Sequence, residues 1–209
     1  MYLSEFTLDR KSPSVRQCLQ NAQDMHRNVM SGFGDDEGSH MNVLYRLFEL
    51  KKDIKLYVLS PIIPNWDPIQ TNGFHLRESP KDLGFISAQT KVGRVYGFDL
   101  LCIPAKKEPR EGMNSRRVIL KTSDERLQWL TRKAMQNGFS LNWAREDGYQ
   151  KVMVKRNQES DQAWHSGVRF RGELTVTDVE LFVSAFKKGI GAGKVYGFGM
   201  LLLFPPQRC

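Results

Sequence analysis

The segment Gly93-Arg-Val-Tyr-Gly-Phe98, followed by Asp-Leu-Leu-Cys-Ile-Pro104, decides how the fold is interpreted, because a later segment repeats it. The second copy is Gly193-Lys-Val-Tyr-Gly-Phe198, followed by Gly-Met-Leu-Leu-Leu-Phe-Pro205. The copies lie 100 residues apart in a chain of 209 residues, and self-similarity at one domain length indicates a duplicated unit. Chance recurrence of a glycine turn before an apolar strand is the alternative. The matching Val-Tyr-Gly-Phe favours duplication.

The second half of the chain has the pattern of a ferredoxin-like unit. Its start follows residues 105–115, whose Lys, Glu, Pro and Gly content is typical of a linker. A cap at Ser123 and a capping box at Thr177-Asp-Val-Glu180 predict two helices. Apolar runs and alternating patterns predict the strands, at residues 116–121, 139–143, 149–156, 167–176 and 195–204, with a turn at 146–148. The order matches a βαββαβ unit with an extra hairpin arm.

The first half fits the same order more loosely. Residues 2–8, 43–48 and 55–60 predict strands, and Ser12-Pro13 predicts the start of a helix that continues to about Met30. Prolines at 61, 64 and 68 leave the second helix unplaced. We therefore predict an α+β fold of two tandem ferredoxin-like (RNA-recognition-type) domains. An N-terminal domain at 1–104 carries the first helix, 105–115 is a linker, and a C-terminal domain at 116–209 carries a basic hairpin and a glycine-rich loop.

The charge balance favours a polyanionic partner. Lysine and arginine number 31 against 23 acidic residues, a net charge of +8, and neutralised phosphates release counterions that drive binding. No run of 18 apolar residues and no signal-peptide pattern is present, so we expect a cytoplasmic protein without a membrane partner. Cys18, Cys102 and Cys209 are scattered, which argues against a zinc site and against disulfides. They are expected to pack as small apolar residues or to lie exposed.

His26 is the candidate for chemistry among four histidines that are too dispersed for a metal motif: His26, His40, His75 and His165. A stripe of apolar residues, Cys18, Ala22, Met25 and Val29, runs beside it. This spacing places His26 at the border of the buried helix face. Spacing alone favours a hydrogen-bonded core histidine, and the alternative is a general acid or base near neutral pH. Arg27 and Ser31 follow it closely.

Two basic segments are candidates for binding phosphates. The run Lys188–Gly199 is neither a Walker loop nor a GxGxxG motif, and it is either a flexible connector or a phosphate-binding loop. Its candidate ligands are Lys188, Gly191, Gly193 and Lys194. The second segment is a predicted hairpin, which is either an ordinary solvated sheet face or a track for RNA phosphates. Its cations are Lys151, Lys155, Arg156, Arg169 and Arg171.

These motifs together resemble the CasE family, the repeat-processing subunit of type I-E Cascade complexes. The resemblance runs over nearly the whole chain, and the C-terminal glycine pattern is its most specific part. It rests on Met1-Tyr-Leu-Ser4, Asp24-Met-His-Arg27, Leu44-Tyr-Arg-Leu47, Tyr96-Gly-Phe-Asp-Leu100, Leu127–Ala134, Phe170–Val176 and Gly189–Gly199.

The resemblance implies a metal-independent endoribonuclease that needs no cofactor. It would cut CRISPR precursor RNA at the 3′ base of the repeat hairpin by attack of a 2′-hydroxyl, leaving a 2′,3′-cyclic phosphate and a 5′-hydroxyl. It would then stay bound to the mature guide RNA beside other Cascade subunits. His26 is implied as the general acid or base. Many members have a tyrosine three residues before that histidine, and this chain has Gln23. Slower cleavage, or another partner such as Ser31 or Arg27, is the expectation.

Two other functions stay open from sequence. Gln23 also suits a non-catalytic subunit that binds a hairpin RNA within a ribonucleoprotein complex. A nucleotide-dependent enzyme using the glycine-rich run is the weakest alternative, because the run fails both nucleotide-binding motifs.

Overall fold

Two antiparallel sheets form the framework of the computed structural model, which describes residues 1–34, 42–110, 113–155 and 162–206. The first sheet, with its helices, is the N-terminal unit. Its strands are β1 (Tyr2–Leu8), β2 (Leu44–Glu49), β3 (Ile54–Ser60) and β4 (Phe74–Leu76), with β5 (Lys81–Asp82) also paired to β1. They lie in the order β2-β3-β1-β4, which is the strand order of a ferredoxin-like sheet.

The helices of the N-terminal unit are α1 (Pro13–Gln20), α2 (Ala22–Met30) and the short α3 (Asp67–Gln70) and α4 (Gly84–Gln89). Ser12 caps α1, as predicted. The prediction of one continuous helix to Met30 is wrong. The chain breaks at Asn21, whose backbone is extended and whose side chain caps α2 by accepting the amide of Gln23 at 3.2 Å. A polar cap in mid-segment outweighs the continuous apolar stripe.

The second sheet, with its helices and a separate hairpin, is the C-terminal unit. Its strands are β6 (Val95–Cys102), β9 (Phe139–Lys155), β10 (Gln162–Val176) and β11 (Leu201–Phe204), in the order β11-β6-β10-β9. The hairpin consists of β7 (Ala105–Arg110) and β8 (Met113–Ile119), and the helices are α5 (Ser123–Gln136) and α6 (Val179–Lys188). This order is again ferredoxin-like, so the prediction of an α+β fold with two tandem ferredoxin-like units is confirmed.

The structure corrects the assignment of strands to the two halves. Strand β6 pairs with β10 and β11, so Val95–Cys102 belongs to the C-terminal unit rather than to a domain ending at 104. The described part of the predicted linker 105–115 is mostly strand β7, and the run 116–121 lies largely in β8 rather than in the main sheet. The two copies of the repeat therefore lead into the first and last strands of one sheet. An apolar run predicts a buried strand but not the strand with which it pairs. The 100-residue offset therefore suggested one copy in each domain, whereas both copies lie in the C-terminal unit.

Smaller predictions also change. The predicted strand 195–204 begins instead with a 3-10 turn, Lys194–Tyr196, and Gly197 and Gly199 hold positive φ before β11 starts. No turn interrupts β9 at 146–148, where the register with β10 shifts instead. Helix α5 is capped by Thr122 rather than Ser123, and α6 by Asp178 rather than Thr177.

The cores lie between each sheet and its helices. In the C-terminal unit Phe182 stacks on Tyr96 at 5.8 Å between ring centres and meets Phe139 edge-on at 5.9 Å. Cys18 and Cys102 are free and buried, as expected, and burial raises the pKa of the Cys18 thiol to about 11. Cys209 lies outside the described residues. Among the helices that the structure describes, none has the length and apolar character needed to cross a bilayer.

A buried ion pair joins the two units. Arg46 of β2 is 2% exposed and donates through Nη2 to Asp99 of β6 at 3.3 Å. Asp99 also accepts from Arg169 Nε at 2.9 Å. Burial lowers the pKa of Arg46 to about 10, while the neighbouring Asp99 raises it. Leu44 and Phe186 belong to an apolar cluster that links the units beside this pair.

We predict that Asp99→Asn destabilises the protein by about 3–5 kcal/mol, because it leaves a buried guanidinium without its counter-charge. The matched control is Asp147→Asn. Asp147 is 27% exposed, its ion pairs to Arg169 and Arg171 are 3.6 and 3.7 Å long, and its loss should cost about 1 kcal/mol or less. Denaturant unfolding measures both. Equal losses in the two variants would contradict a structural role for the buried pair.

Candidate active site and nucleic-acid interface

His26 lies one turn into α2, at the border of its buried face. Ala22, Met25 and Val29 of this helix are buried, and His26 is half-buried beside them, as the apolar stripe predicted. The helix packs against β9 and against the 3-10 turn Lys194–Tyr196, both of the C-terminal unit. The imidazole is thus carried by one unit at the boundary with the other.

The other predicted catalytic residues lie around His26 on α2 or just after it. Gln23 occupies the preceding turn and is half-buried. The exposed Arg27 donates through Nη1 to Asp24 at 3.0 Å, so its guanidinium has a carboxylate partner on the same helix. The hydroxyl of Ser31 donates to the Asn28 carbonyl at 2.8 Å. These residues are close together because they are close in the sequence. The side-chain contacts of Arg27 and Ser31 are with residues of α2.

Two side chains of the N-terminal unit reach the C-terminal unit beside α2. The hydroxyl of Tyr45 lies 3.0 Å from the Val195 carbonyl oxygen and 3.4 Å from that of Ala22. The side chain of Asn21 accepts the amide of Lys155 at 3.0 Å and donates to the carbonyl of the same residue at 3.4 Å. The first turn of α2 is therefore attached to the end of β9 and to the glycine-rich loop.

The glycine-rich loop is closed by its own backbone. Gly199 donates to the Leu101 carbonyl at 2.7 Å and accepts from Ile190 at 2.8 Å. Gly193 has a φ of 75°, in the left-handed region that favours glycine, and a Cβ there would lie 2.8 Å from Ile103 Cδ1. These hydrogen bonds hold the loop in one conformation, which argues against the alternative of a flexible connector.

The loop also offers groups suited to an anion. The N–H groups of residues 191–194 donate no hydrogen bond to another residue in the described ranges. Burial, and secondarily Lys188, lowers the pKa of the half-buried Lys194. Free amides beside glycines with positive φ and two lysines suit a phosphate.

A basic cavity of about 470 Å³ adjoins this loop. It lies between the β7–β8 hairpin, α5 and the loop. Among the described residues its lining includes five cationic side chains and no carboxylate: Lys106, Lys107, Arg117, Arg132 and Lys133. Lys106 pairs with Glu108, outside the lining, at 3.5 Å. Lys107 and Arg117 lie directly opposite each other across the hairpin. Like charges in such a pair repel, so an anion bound between them would relieve that repulsion.

Sequence reasoning missed this surface. Lysines 106 and 107 were counted in a linker, and only the strand pairing brings them to Arg117. The available signal was two basic pairs in the sequence, 106–107 and 116–117, with Gly112 between them, and a third pair at 132–133 in the predicted helix.

The predicted basic hairpin of β9 and β10 does not form one cationic surface. Lys151 and Lys155 are exposed opposite Ser166 and Gln162. Ser166 and Gln162 are even-numbered positions of β10, whereas Arg169 and Arg171 are odd-numbered. Because side chains alternate along a strand, the two lysines and the two arginines lie on opposite faces of the sheet. Both arginines make ion pairs with Asp99 and Asp147. The fifth cation, Arg156, lies outside the described residues, as does His40.

Comparison with known proteins gives full-length similarity. A family model described as CRISPR associated protein matches residues 1–205. The CRISPR-associated endoribonuclease Cse3 of Thermus thermophilus is 27% identical over 219 residues, covering 98% of this chain and 100% of the relative. Cse3 bound to a 19-nucleotide RNA has a TM-score of 0.86 at 26% identity, covering 98% of this chain and 100% of that one. Thermus thermophilus Cse3 bound to an RNA that represents a pre-cleavage complex has a TM-score of 0.81 at 25% identity, covering 98% of both chains.

Proposed function

The chain belongs to the family of CRISPR-associated proteins, and from this membership we propose that it is an endoribonuclease that cuts CRISPR precursor RNA at the repeat hairpin. The observation that carries the proposal is the placement of His26, half-buried on a helix of one unit that packs against the glycine-rich loop of the other. Full-length similarity to an endoribonuclease, with RNA-bound structures of Cse3 among the matches, supports the same reaction class.

The proposed reaction is a transesterification at the 3′ base of the hairpin. The ribose 2′-oxygen beside the cut bonds to the adjacent phosphorus and loses its proton, while the bond from phosphorus to the 5′-oxygen breaks and that oxygen gains a proton. The products carry a 2′,3′-cyclic phosphate and a 5′-hydroxyl. We assign His26 to this proton transfer, since imidazole changes charge near neutral pH. Holding the nucleotide in line supplies further rate without a metal ion.

We assign the RNA stem to the basic cavity and the glycine-rich loop. Five cations without a carboxylate among them suit closely spaced phosphates, and RNA duplexes are recognised largely through shape and backbone. Gly191, Gly193 and Lys194 of the loop, with Lys188, would hold the backbone on the side of α2. This grip would keep the product bound after cleavage and present it to the other Cascade subunits. A cytoplasmic location stays a prediction.

We predict that the wild-type chain cuts its repeat RNA in the presence of EDTA and that His26→Ala slows the cut by about 10²–10⁴-fold. Single-turnover assays that identify the cyclic-phosphate end measure the rate, and a binding titration should give an unchanged Kd. His75→Ala is the matched control, because His75 is exposed on β4. Equal rates for wild type and His26→Ala would refute the assignment. Binding without any cleavage by the wild type would favour the non-catalytic hairpin-binding subunit.

We predict that the double substitution Lys107→Ala/Arg117→Ala weakens stem binding more than Lys151→Ala/Lys155→Ala does. Each pair removes two charges, but only the first pair lines the cavity. The slope of log affinity against log salt should fall by about 1.5 for the first variant, roughly 0.7–0.9 for each lost phosphate contact. Filter binding across a salt series tests this, and a larger loss from the second variant would move the stem to the β9–β10 hairpin.

Gln23 should limit the rate. Its amide orients by hydrogen bonds but is a poor proton donor, and it lies one turn before His26 on α2. We predict that Gln23→Tyr speeds cleavage about three- to tenfold with little change in RNA affinity. This gain is smaller than the roughly 10²–10⁴-fold that a fully positioned general acid or base contributes. Gln23→Phe controls for the added ring. Faster cleavage by both variants, or by neither, would remove the proton-donor explanation.

A further inference from the structure

Tyr45 joins three elements that come from both units. It lies on β2 and is 3% exposed. Its hydroxyl approaches the carbonyls of Val195, in the 3-10 turn, and Ala22, in α2, at 3.0 and 3.4 Å. Its ring also lies against the loop, because a Cβ at Gly197 would be 3.0 Å from Tyr45 Cε2. One side chain thus contacts the helix that carries His26, the middle of the 3-10 turn and the glycine that follows the turn.

The carbonyl of Ala22 has a special relation to His26. In an α-helix the amide of each residue donates to the carbonyl four residues earlier, so within α2 the amide of His26 is directed at Ala22. The Tyr45 hydroxyl therefore approaches the acceptor that holds the backbone of His26. The single hydroxyl proton is shared with the Val195 carbonyl, the nearer acceptor at 3.0 Å, and Val195 directly follows Lys194 of the loop.

A second attachment limits how α2 moves. Asn21 caps the helix and pairs with both backbone groups of Lys155 at the end of β9. This fixes the start of α2 on the C-terminal unit. Rotation about that point would still change the distance from His26 to the loop. The Tyr45 hydroxyl adds a contact that spans the first residue of α2 and the loop.

We propose that Tyr45 is a positioning residue whose hydroxyl sets the register between α2 and the glycine-rich loop, so that His26 and Lys194 act on the same stretch of RNA backbone. The proposal rests on the proposed function. Burial raises the pKa of Tyr45 far above its ordinary value, so the phenol stays protonated and serves as a hydrogen-bond donor rather than as an acid or base.

Tyr45→Phe tests the role, because it removes one oxygen and keeps the buried ring. We expect single-turnover cleavage at saturating protein to fall about 10–100-fold, since small misplacements of reacting groups cost up to about that much. The Kd for repeat RNA should stay within about twofold of wild type, because the cavity cations are unchanged. Tyr2→Phe is the control, since Tyr2 is half-buried in the same sheet and its hydroxyl makes no hydrogen bond within the described residues; its rate should equal wild type.

A combined variant separates positioning from loss of structure. If Tyr45 acts through His26, then Tyr45→Phe in a His26→Ala background should cause no further slowing, because groups that act as a unit are non-additive. A general structural defect would slow both backgrounds equally and would weaken binding, and either result overturns the inference. So does a Tyr45→Phe rate equal to wild type. Wild-type protein that binds RNA without cutting it overturns the proposed function and the inference together.

Discussion

The proposed site is divided between two ferredoxin-like units, so its geometry depends on how firmly those units are joined. The join combines an apolar cluster with the buried pair of Arg46 and Asp99. A buried ion pair adds little net stability, but it tolerates few alternative arrangements, because each separated charge would be buried without a partner. Polar contacts from Asn21 and Tyr45 then extend this fixed arrangement to α2. The position of His26 relative to the C-terminal unit follows from these contacts.

Two clusters of cations differ in their surroundings. Arg46, Arg169 and Arg171 share the carboxylate of Asp99, and the last two also approach Asp147. The two carboxylates offset part of the charge of these guanidiniums, and a polyanion would have to compete with them. Of the cations that line the basic cavity, Lys106 pairs with Glu108 at 3.5 Å, and the other four have no carboxylate partner among the described residues. For this reason we propose the side of the β7–β8 hairpin and α5 as the surface that binds the RNA stem.

The sequence predicted features that depend on near neighbours in the chain. The cap at Ser12, the buried stripe beside His26 and the burial of the apolar runs all follow from local spacing and were found. Strand partners were not predictable in this way, since an apolar run signals burial but not which sheet receives it. Val95–Cys102 was therefore placed in the wrong unit. The cationic surfaces were not predicted for the same reason. Lys107 lies opposite Arg117 only through strand pairing, and Arg169 binds Asp99, which is 70 positions away in the sequence.

We propose that one RNA contacts both units at once, with its stem on the C-terminal unit and its cut site at the histidine of the N-terminal unit. A structure of the protein bound to repeat RNA that carries a 2′-deoxyribose at the cut measures this directly. The account predicts the scissile phosphate within about 3–4 Å of the His26 ring, the range of a hydrogen bond or a near-attack contact, while stem phosphates lie against Lys107 and Arg117. A stem bound elsewhere, or a scissile phosphate more than about 8 Å from that ring and so beyond reach through a single bridging water, would contradict it.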